Sequence, residues 1–166
     1  MTRTTRAGSM AATPVVALLL SLTSACGAVD KGDVQPDAVE KKAHTLTQQT
    51  LDAIHPSTGA APTSVYSDRW SKCTTETPGQ HRFEYDYILK LTVAPNQVKP
   101  AITAAHAYFA KEGYKSDYTP YPDRHAGATI PKSTWTVALG LSTSKVLLLE
   151  VDSDCVFTRH DPKTKA

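Results

Sequence analysis

The sequence of 166 residues lacks most of the short motifs that identify catalytic or nucleic-acid-binding proteins. Its six histidines form no His–x–x–x–His pair, no Gly–x–Ser–x–Gly turn presents a serine nucleophile, and no glycine-rich loop is suited to hold a phosphate. Long runs of one charge sign are missing too, so binding to nucleic acid or to anionic lipid is not indicated. The sequence therefore predicts no cofactor, no metal site and no particular reaction.

The N-terminal segment indicates export. Arg3 and Arg6 precede an apolar stretch, residues 11–22, whose roughly 12 residues suit a signal peptide and fall short of the ~20 needed to span a membrane. The stretch ends in small residues followed by Cys26, and it resembles a bacterial lipoprotein signal peptide with Thr23 in place of the usual leucine. We expect cleavage before Cys26 and lipid attachment to its thiol. The alternative is ordinary secretion, with Cys26 left as a free thiol.

The remaining chain is predicted to be one neutral domain. Without Arg3 and Arg6, the 18 basic side chains fall to 16 and equal the 16 acidic ones. After a signal peptide over residues 1–25, the small and polar residues 26–35 are expected to form a tether. Residues 36–158 then form a single domain, and residues 159–166 a disordered tail. This organisation predicts an extracytoplasmic protein, held by lipid to the outer face of the cell membrane.

The other two cysteines, Cys73 and Cys155, form an even pair if Cys26 carries lipid. In an oxidising compartment, two cysteines allow only one intramolecular bridge. That bridge would close a loop of about 80 residues and contribute roughly 4 kcal/mol in the chain-entropy model. Two buried free thiols or an intermolecular disulfide bond are the alternatives.

Hydrophobic spacing predicts two helices and several strands. The first helix is predicted to run from Pro36 to Ile54, because His55 precedes Pro56 and should leave the helical conformation. The second helix begins near Asn96 or Pro100 and ends at Gly113. The clearest strand is 82–93, in which apolar and polar side chains alternate. Its apolar face is formed by Phe83, Tyr85, Tyr87, Leu89 and Leu91, and its wet face includes Glu84, Asp86 and Lys90.

The other strands are shorter. Residues 65–73 and 114–118 are each predicted to contain a short strand, and residues 134–157 a hairpin, whereas 57–64 and 119–132 are predicted loops. The fold class that follows is α+β: a two-layer sandwich in which two helices cover one face of a mostly antiparallel sheet of about four strands.

This arrangement resembles the small extracytoplasmic lipoproteins of actinobacteria. Trp70 and Cys73 before the long strand, Gly113 and Tyr114 after the second helix, and Cys155 near the end carry the resemblance. Those families mostly have no assigned function. The resemblance therefore implies the fold and the extracytoplasmic location, and it implies no chemistry.

The candidate binding residues are Tyr118, Tyr121, Arg124 and His125, in and beside the predicted 119–132 loop. Aromatic faces beside a cation and a titratable ring suit the recognition of sugars or peptides. The alternative is a solvated connection that its prolines merely stiffen. The preferred function is a non-enzymatic lipoprotein that binds an unidentified protein or cell-envelope component. The other candidate is a small extracytoplasmic enzyme or solute-binding accessory that uses this loop.

Overall fold

A computed structural model describes residues 34–73, 82–119, 125–158 and 161–162. Cys26, the predicted signal peptide and most of the predicted tether and tail lie outside these ranges. The helices and strands, in chain order, are α1 (Pro36–Thr58), β1 (Ala61–Lys72), β2 (Arg82–Thr92), α2 (Val98–Lys111), β3 (Lys115–Thr119), β4 (His125–Thr129), β5 (Thr136–Leu141), β6 (Leu147–Asp152) and β7 (Val156–Phe157). A 3-10 turn at Pro95–Gln97 leads into α2.

All seven strands belong to one antiparallel sheet. Their order is β1-β2-β6-β5-β4-β3, and β7 pairs with the first residues of β2. Helix α1 packs on β2 and β6, and α2 packs on β3, β4 and β5, so the two helices lie side by side on one face. The predicted α+β class with an antiparallel sheet and two helices is confirmed.

The prediction of about four strands is wrong, because the sheet has seven. Strand β4 lies inside the predicted 119–132 loop. The prolines of this segment indicated a loop, although its small residues at 126–128 fit between β3 and β5. Strand β1 begins at Ala61, inside the predicted 57–64 loop. The second strand of the predicted 134–157 hairpin is divided into β6 and β7, with Cys155 in the connection between them.

Helix α1 continues past its predicted end at Ile54 and contains Pro56. The local hydrogen bonds explain why the helix tolerates a proline in its last turn. Thr58 Oγ1 donates to the Ile54 carbonyl at 2.7 Å, and the N–H of Gly59 donates to the His55 carbonyl at 2.8 Å. Gly59 has a φ of 68°, the left-handed conformation that commonly ends a helix. These contacts outweigh the preference of a pre-proline residue for extended backbone.

The alternating pattern of β2 places its side chains as predicted. Phe83, Tyr85, Leu89 and Leu91 are buried beneath the helices, and Tyr87 is half-buried. The alternate side chains lie on the opposite face of the sheet, which no described helix covers. The core that the helices and the sheet share also contains Ile54, Ile102, Phe109, Trp135, Val137, Leu139, Leu149 and Val151.

The predicted disulfide bond between Cys73 and Cys155 is confirmed, with the two Cα atoms 6.2 Å apart. It joins the end of β1 to the connection between β6 and β7, across a sequence separation of 82 residues. The N–H of Cys73 also donates to the Arg82 carbonyl at 3.1 Å. The edge strand β1 is therefore fixed to the sheet covalently at one end.

Candidate functional site

A groove of about 420 Å³ lies between α1 and β1. Because α1 packs on β2 and β6, it lies inward from the sheet edge and leaves the first half of β1 uncovered. We call this space the α1–β1 groove. Tyr87 and Leu89 of β2 form its floor, and its walls are His44, Thr47, Gln48 and Leu51 of α1 and Pro62, Thr63, Ser64 and Val65 of β1.

Strand β1 is an edge strand that pairs, among the described strands, with β2 alone. It carries Val65 and Tyr66, which are 53% and 60% exposed and are the exposed large hydrophobic side chains of the described residues. Val65 pairs with Leu89 and lines the groove. Tyr66 lies at a register shift and contacts Lys90, whose Nζ is 5.0 Å from the ring centroid, so it faces the other side of the sheet.

The hydroxyl of Thr47 is buried in the groove wall without a hydrogen-bond partner among the described residues. The residue is only 2% exposed. Other threonines of α1 differ, because Thr45 and Thr50 donate to the carbonyls four residues earlier at 2.8 and 2.9 Å. A buried hydroxyl without a partner costs about 1–3 kcal/mol of stability. Thr47 also lines the groove, so a rotation of its side chain would bring the hydroxyl to a bound molecule.

Three polar side chains meet at one end of the groove. The Tyr85 hydroxyl donates to Asp68 Oδ1 at 2.7 Å and lies 3.4 Å from His44 Nε2. Since Tyr85 gives its only hydroxyl hydrogen to Asp68, a hydrogen bond from His44 requires Nε2–H to be the donor. The His44 ring also packs on Tyr87, with the centroids 4.2 Å apart. Helix α1 is thus connected to both β1 and β2 at this point.

Burial, together with the hydrogen bond to Asp68, raises the pKa of Tyr85 far above its ordinary value. The charges of Asp68 and Glu40 raise this pKa further, which places both carboxylates close to the hydroxyl. Burial also raises the pKa of Tyr87. Glu40 accepts a hydrogen bond from Trp70 Nε1 at 2.9 Å. This end of the groove is therefore acidic, and its tyrosines remain protonated at neutral pH.

The structure places the sequence-predicted residues Tyr118 and His125 on opposite faces of the β3–β4 hairpin. The Tyr118 ring stacks on His106 of α2 at 4.4 Å, on the helix-covered side. His125 lies on the uncovered face, above Gly127, where a Cβ would collide with Nε2 of the histidine. Tyr121 and Arg124 lie outside the described residues. Tyr118 and His125 therefore do not share one surface, and the proposed role of the 119–132 loop stays a prediction.

The uncovered face of the sheet carries an acidic cluster on β2 and β6, formed by Glu84, Asp86, Glu150 and Asp152. Burial, followed by repulsion from neighbouring carboxylates, raises the pKa of Glu84 and of Glu150. The pKa of Asp152 is also raised by burial, although the hydroxyl of Thr136 donates to it at 3.0 Å. Arg69 contributes a positive charge to this cluster, because its Nε lies 3.1 Å from Asp86 Oδ2.

Sequence reasoning missed the α1–β1 groove, although two signals point toward it. His44, Thr47, Gln48 and Leu51 stand three and four residues apart and so share one face of α1. The five residues from Thr63 to Ser67 carry no charge, although charges are a common protection for an edge strand. Neither signal shows which helix meets which strand.

Comparison with protein-family models, with curated proteins and with solved structures gives no match to this chain. Within the described ranges, no helix has both the length and the apolar character to cross a membrane. The same residues contain no group of three or more histidine, cysteine, aspartate or glutamate side chains placed to hold a metal ion. The α1–β1 groove remains the candidate site that combines a cavity, an exposed edge and an unsatisfied polar group.

Proposed function

We propose that this chain is a membrane-anchored extracytoplasmic lipoprotein that binds a protein or another cell-envelope component and catalyses no reaction. The α1–β1 groove is its binding site. The observation that carries this proposal is the buried, unpartnered hydroxyl of Thr47 in a groove whose rim holds the exposed Val65. An unsatisfied polar group beside exposed apolar surface is costly in the free protein, and a bound partner would relieve both costs.

The location rests on the N-terminal sequence and is supported by cysteine usage. Arg3, Arg6 and the apolar segment before Cys26 resemble a lipoprotein signal. The disulfide bond between Cys73 and Cys155 agrees with an oxidising compartment outside the cytoplasm. Lipid on Cys26 would hold the domain to the membrane through the short segment that precedes α1.

A binding role suits the chemistry of the groove better than catalysis does. A network of titratable groups at its end joins the buried Tyr85 to the exposed His44 and Asp68. An active tyrosine base or nucleophile needs a lowered pKa, whereas the pKa of Tyr85 is raised. The network instead fixes the position of α1 against the sheet. The volume of the groove, about 420 Å³, lies within the range of small-molecule binding sites.

A pair of matched variants tests the proposal. Val65→Asp places a charge in the groove, whereas Tyr66→Asp places the same charge on the neighbouring residue, whose ring contacts Lys90 on the other side of the sheet. Both positions are exposed, so both variants should fold. Tagged chains are recovered from native membranes after crosslinking, and the component captured by the wild type is identified.

The captured component should be lost from Val65→Asp and retained by Tyr66→Asp. Equal capture by both variants would remove the groove from the proposal. The double variant Tyr121→Ala, Arg124→Ala tests the 119–132 loop in the same experiment, and its loss of capture would assign binding to that loop. Turnover of an envelope substrate by the purified chain, abolished by a single histidine or aspartate substitution, would overturn the non-enzymatic function.

A further inference from the structure

We infer that the occupant of the α1–β1 groove is a short extended peptide segment of a partner protein, added as a strand to the outer edge of β1 and carrying a basic side chain. This inference rests on the proposed function and names the class of its ligand. A groove bounded by a helix and by the edge strand of a sheet is a general geometry for peptide recognition by strand addition.

The edge of β1 has the properties that strand addition requires. It is 12 residues long, and β2 is its one partner among the described strands. The segment from Thr63 to Ser67 contains no charged residue and includes the exposed Val65. Charges that keep many edge strands from pairing with another chain are absent from this segment, and Pro62 and the register shifts of β1 are the features that interrupt its edge.

The bulges in β1 favour a short peptide over a second copy of this chain. Register shifts occur between Pro62 and Ser64 and again between Val65 and Ser67. A β1–β1 pair between two copies would have to accommodate both irregularities on each strand, since its register is fixed by symmetry. A separate peptide of about six residues is free to choose the register that matches the edge.

The side-chain environment specifies what the peptide carries. An added strand directs alternate side chains to the helix side of the sheet. Thr63, Ser64 and Val65 are small, so an apolar side chain from the peptide is able to pass over them toward Tyr87 and Leu89 on the groove floor. Polar peptide groups that enter beside α1 lie next to Thr47, and a rotation of that side chain would turn its unpartnered hydroxyl toward them.

The acidic end of the groove selects a cation. Asp68 is exposed on β1, three residues beyond Val65, which is about 10 Å of extended strand. One carboxylate oxygen of Asp68 accepts a hydrogen bond from the Tyr85 hydroxyl, and Glu40 adds a second negative charge near the same hydroxyl. A lysine or arginine side chain two to four residues from the apolar position would be attracted here, and an acidic one would be repelled.

The test uses fluorescein-labelled peptides of nine residues that alternate valine and threonine around one arginine, and fluorescence anisotropy with the purified chain. Two further peptides carry backbone N-methyl groups on one or the other alternate set of residues. Only one set can face the edge of β1, so one methylated peptide should bind at least tenfold more weakly while the other should bind like the parent. Binding that is lost with both sets or with neither would overturn strand addition.

Three protein variants complete the test. Val65→Asp should abolish binding of the parent peptide, whereas Thr103→Asp, which adds the same charge on the exposed side of α2, should leave its dissociation constant within twofold. Replacing the peptide arginine by glutamate should weaken binding at least fivefold, and Asp68→Asn should remove most of that difference. An unchanged difference in Asp68→Asn would overturn the assignment of the cation site.

The outcomes also separate this inference from the proposed function. Absence of peptide binding, while Val65→Asp still loses the component captured from native membranes, would refute the peptide class and leave the groove as a binding site. A concentration-dependent dimer in analytical ultracentrifugation that Val65→Asp abolishes would assign the edge to a second copy and overturn the inference. An intact peptide site together with equal capture by Val65→Asp and Tyr66→Asp would instead remove the groove from the proposed function.

Discussion

Replacing Thr47 by valine should stabilise the free protein, because the substitution removes a buried hydroxyl that lacks a partner among the described residues. Such a hydroxyl costs about 1–3 kcal/mol, and the methyl group that replaces it is buried at a gain of up to roughly 0.8 kcal/mol. Both residues are β-branched, so the helix propensity changes little. We expect the free energy of unfolding in urea to rise by about 1–2 kcal/mol.

Thr50→Val is the matched control on the same helix. Thr50 is 1% exposed, but its hydroxyl donates to the Leu46 carbonyl at 2.9 Å. Losing this bond should lower the free energy of unfolding by about 1 kcal/mol, so the two variants should differ by about 2–3 kcal/mol. If Thr47→Val is destabilised as much as Thr50→Val, the Thr47 hydroxyl has a partner in the free protein, such as an ordered water, and no unsatisfied polar group marks the groove as a binding site.

Three further predictions test the bridge, the sheet register and the anchor. Replacing both Cys73 and Cys155 by alanine should lower the free energy of unfolding by about 4 kcal/mol because the bridge closes a long loop, and an unchanged urea midpoint would contradict this. Tyr87→Ala should lower the free energy of unfolding by about 2–3 kcal/mol, since its ring is half-buried against α1. Lys90→Ala, on the other face of β2, should lower it by less than about 1 kcal/mol, and similar urea midpoints for the two variants would show that the register is wrong. Metabolic labelling with a palmitate analogue should mark the wild type and leave Cys26→Ala unlabelled, and equal labelling would exclude the lipid anchor.

The elements that could be predicted from the sequence are those determined by local patterns. The alternation from Phe83 to Leu91 fixes which face of β2 is buried, because one face of that strand is covered and the other is not. The left-handed Gly113, with a φ of 72°, ends the second helix region as expected. The cysteine pair followed from counting, since removing Cys26 leaves only one possible intramolecular bridge.

The elements that were missed depend on tertiary position. The first half of β1 is exposed on both faces, so it lacks the alternation by which a strand is recognised. Strand β4 is made of small residues that become buried only because β3 and β5 flank them and α2 covers them. The groove is harder to predict than either strand, because it forms only when three elements come together. His44, Asp68 and Tyr85 come from α1, β1 and β2, and they meet only after α1 packs one strand inward from the edge.

The acidic cluster on the uncovered face leads to a prediction about pH. Glu150 has an ordinary pKa of 4.5 that burial and the charges of Asp152 and Asp86 raise in the folded protein. Between the ordinary pKa and the raised one, the folded state therefore binds more protons than the unfolded state. Over that pH interval, this group makes the protein less stable as the pH rises. Glu150→Gln removes the charge, so it should raise the free energy of unfolding by about 0.5 kcal/mol at pH 7, a typical size for neighbouring like charges on one face of a sheet.

At pH 4 most of this gain should disappear, because Glu150 of the wild type is then mostly protonated and, like the glutamine of the variant, uncharged. Urea melts of both proteins at the two pH values measure the difference, and 1 M salt should reduce it at pH 7 by screening the charges. Parallel stability profiles, with the same offset between the two proteins at pH 4 and pH 7, would show that the carboxylates do not repel one another. The cluster would then be relieved by counter-charges, and the uncovered face would not be a source of instability at neutral pH.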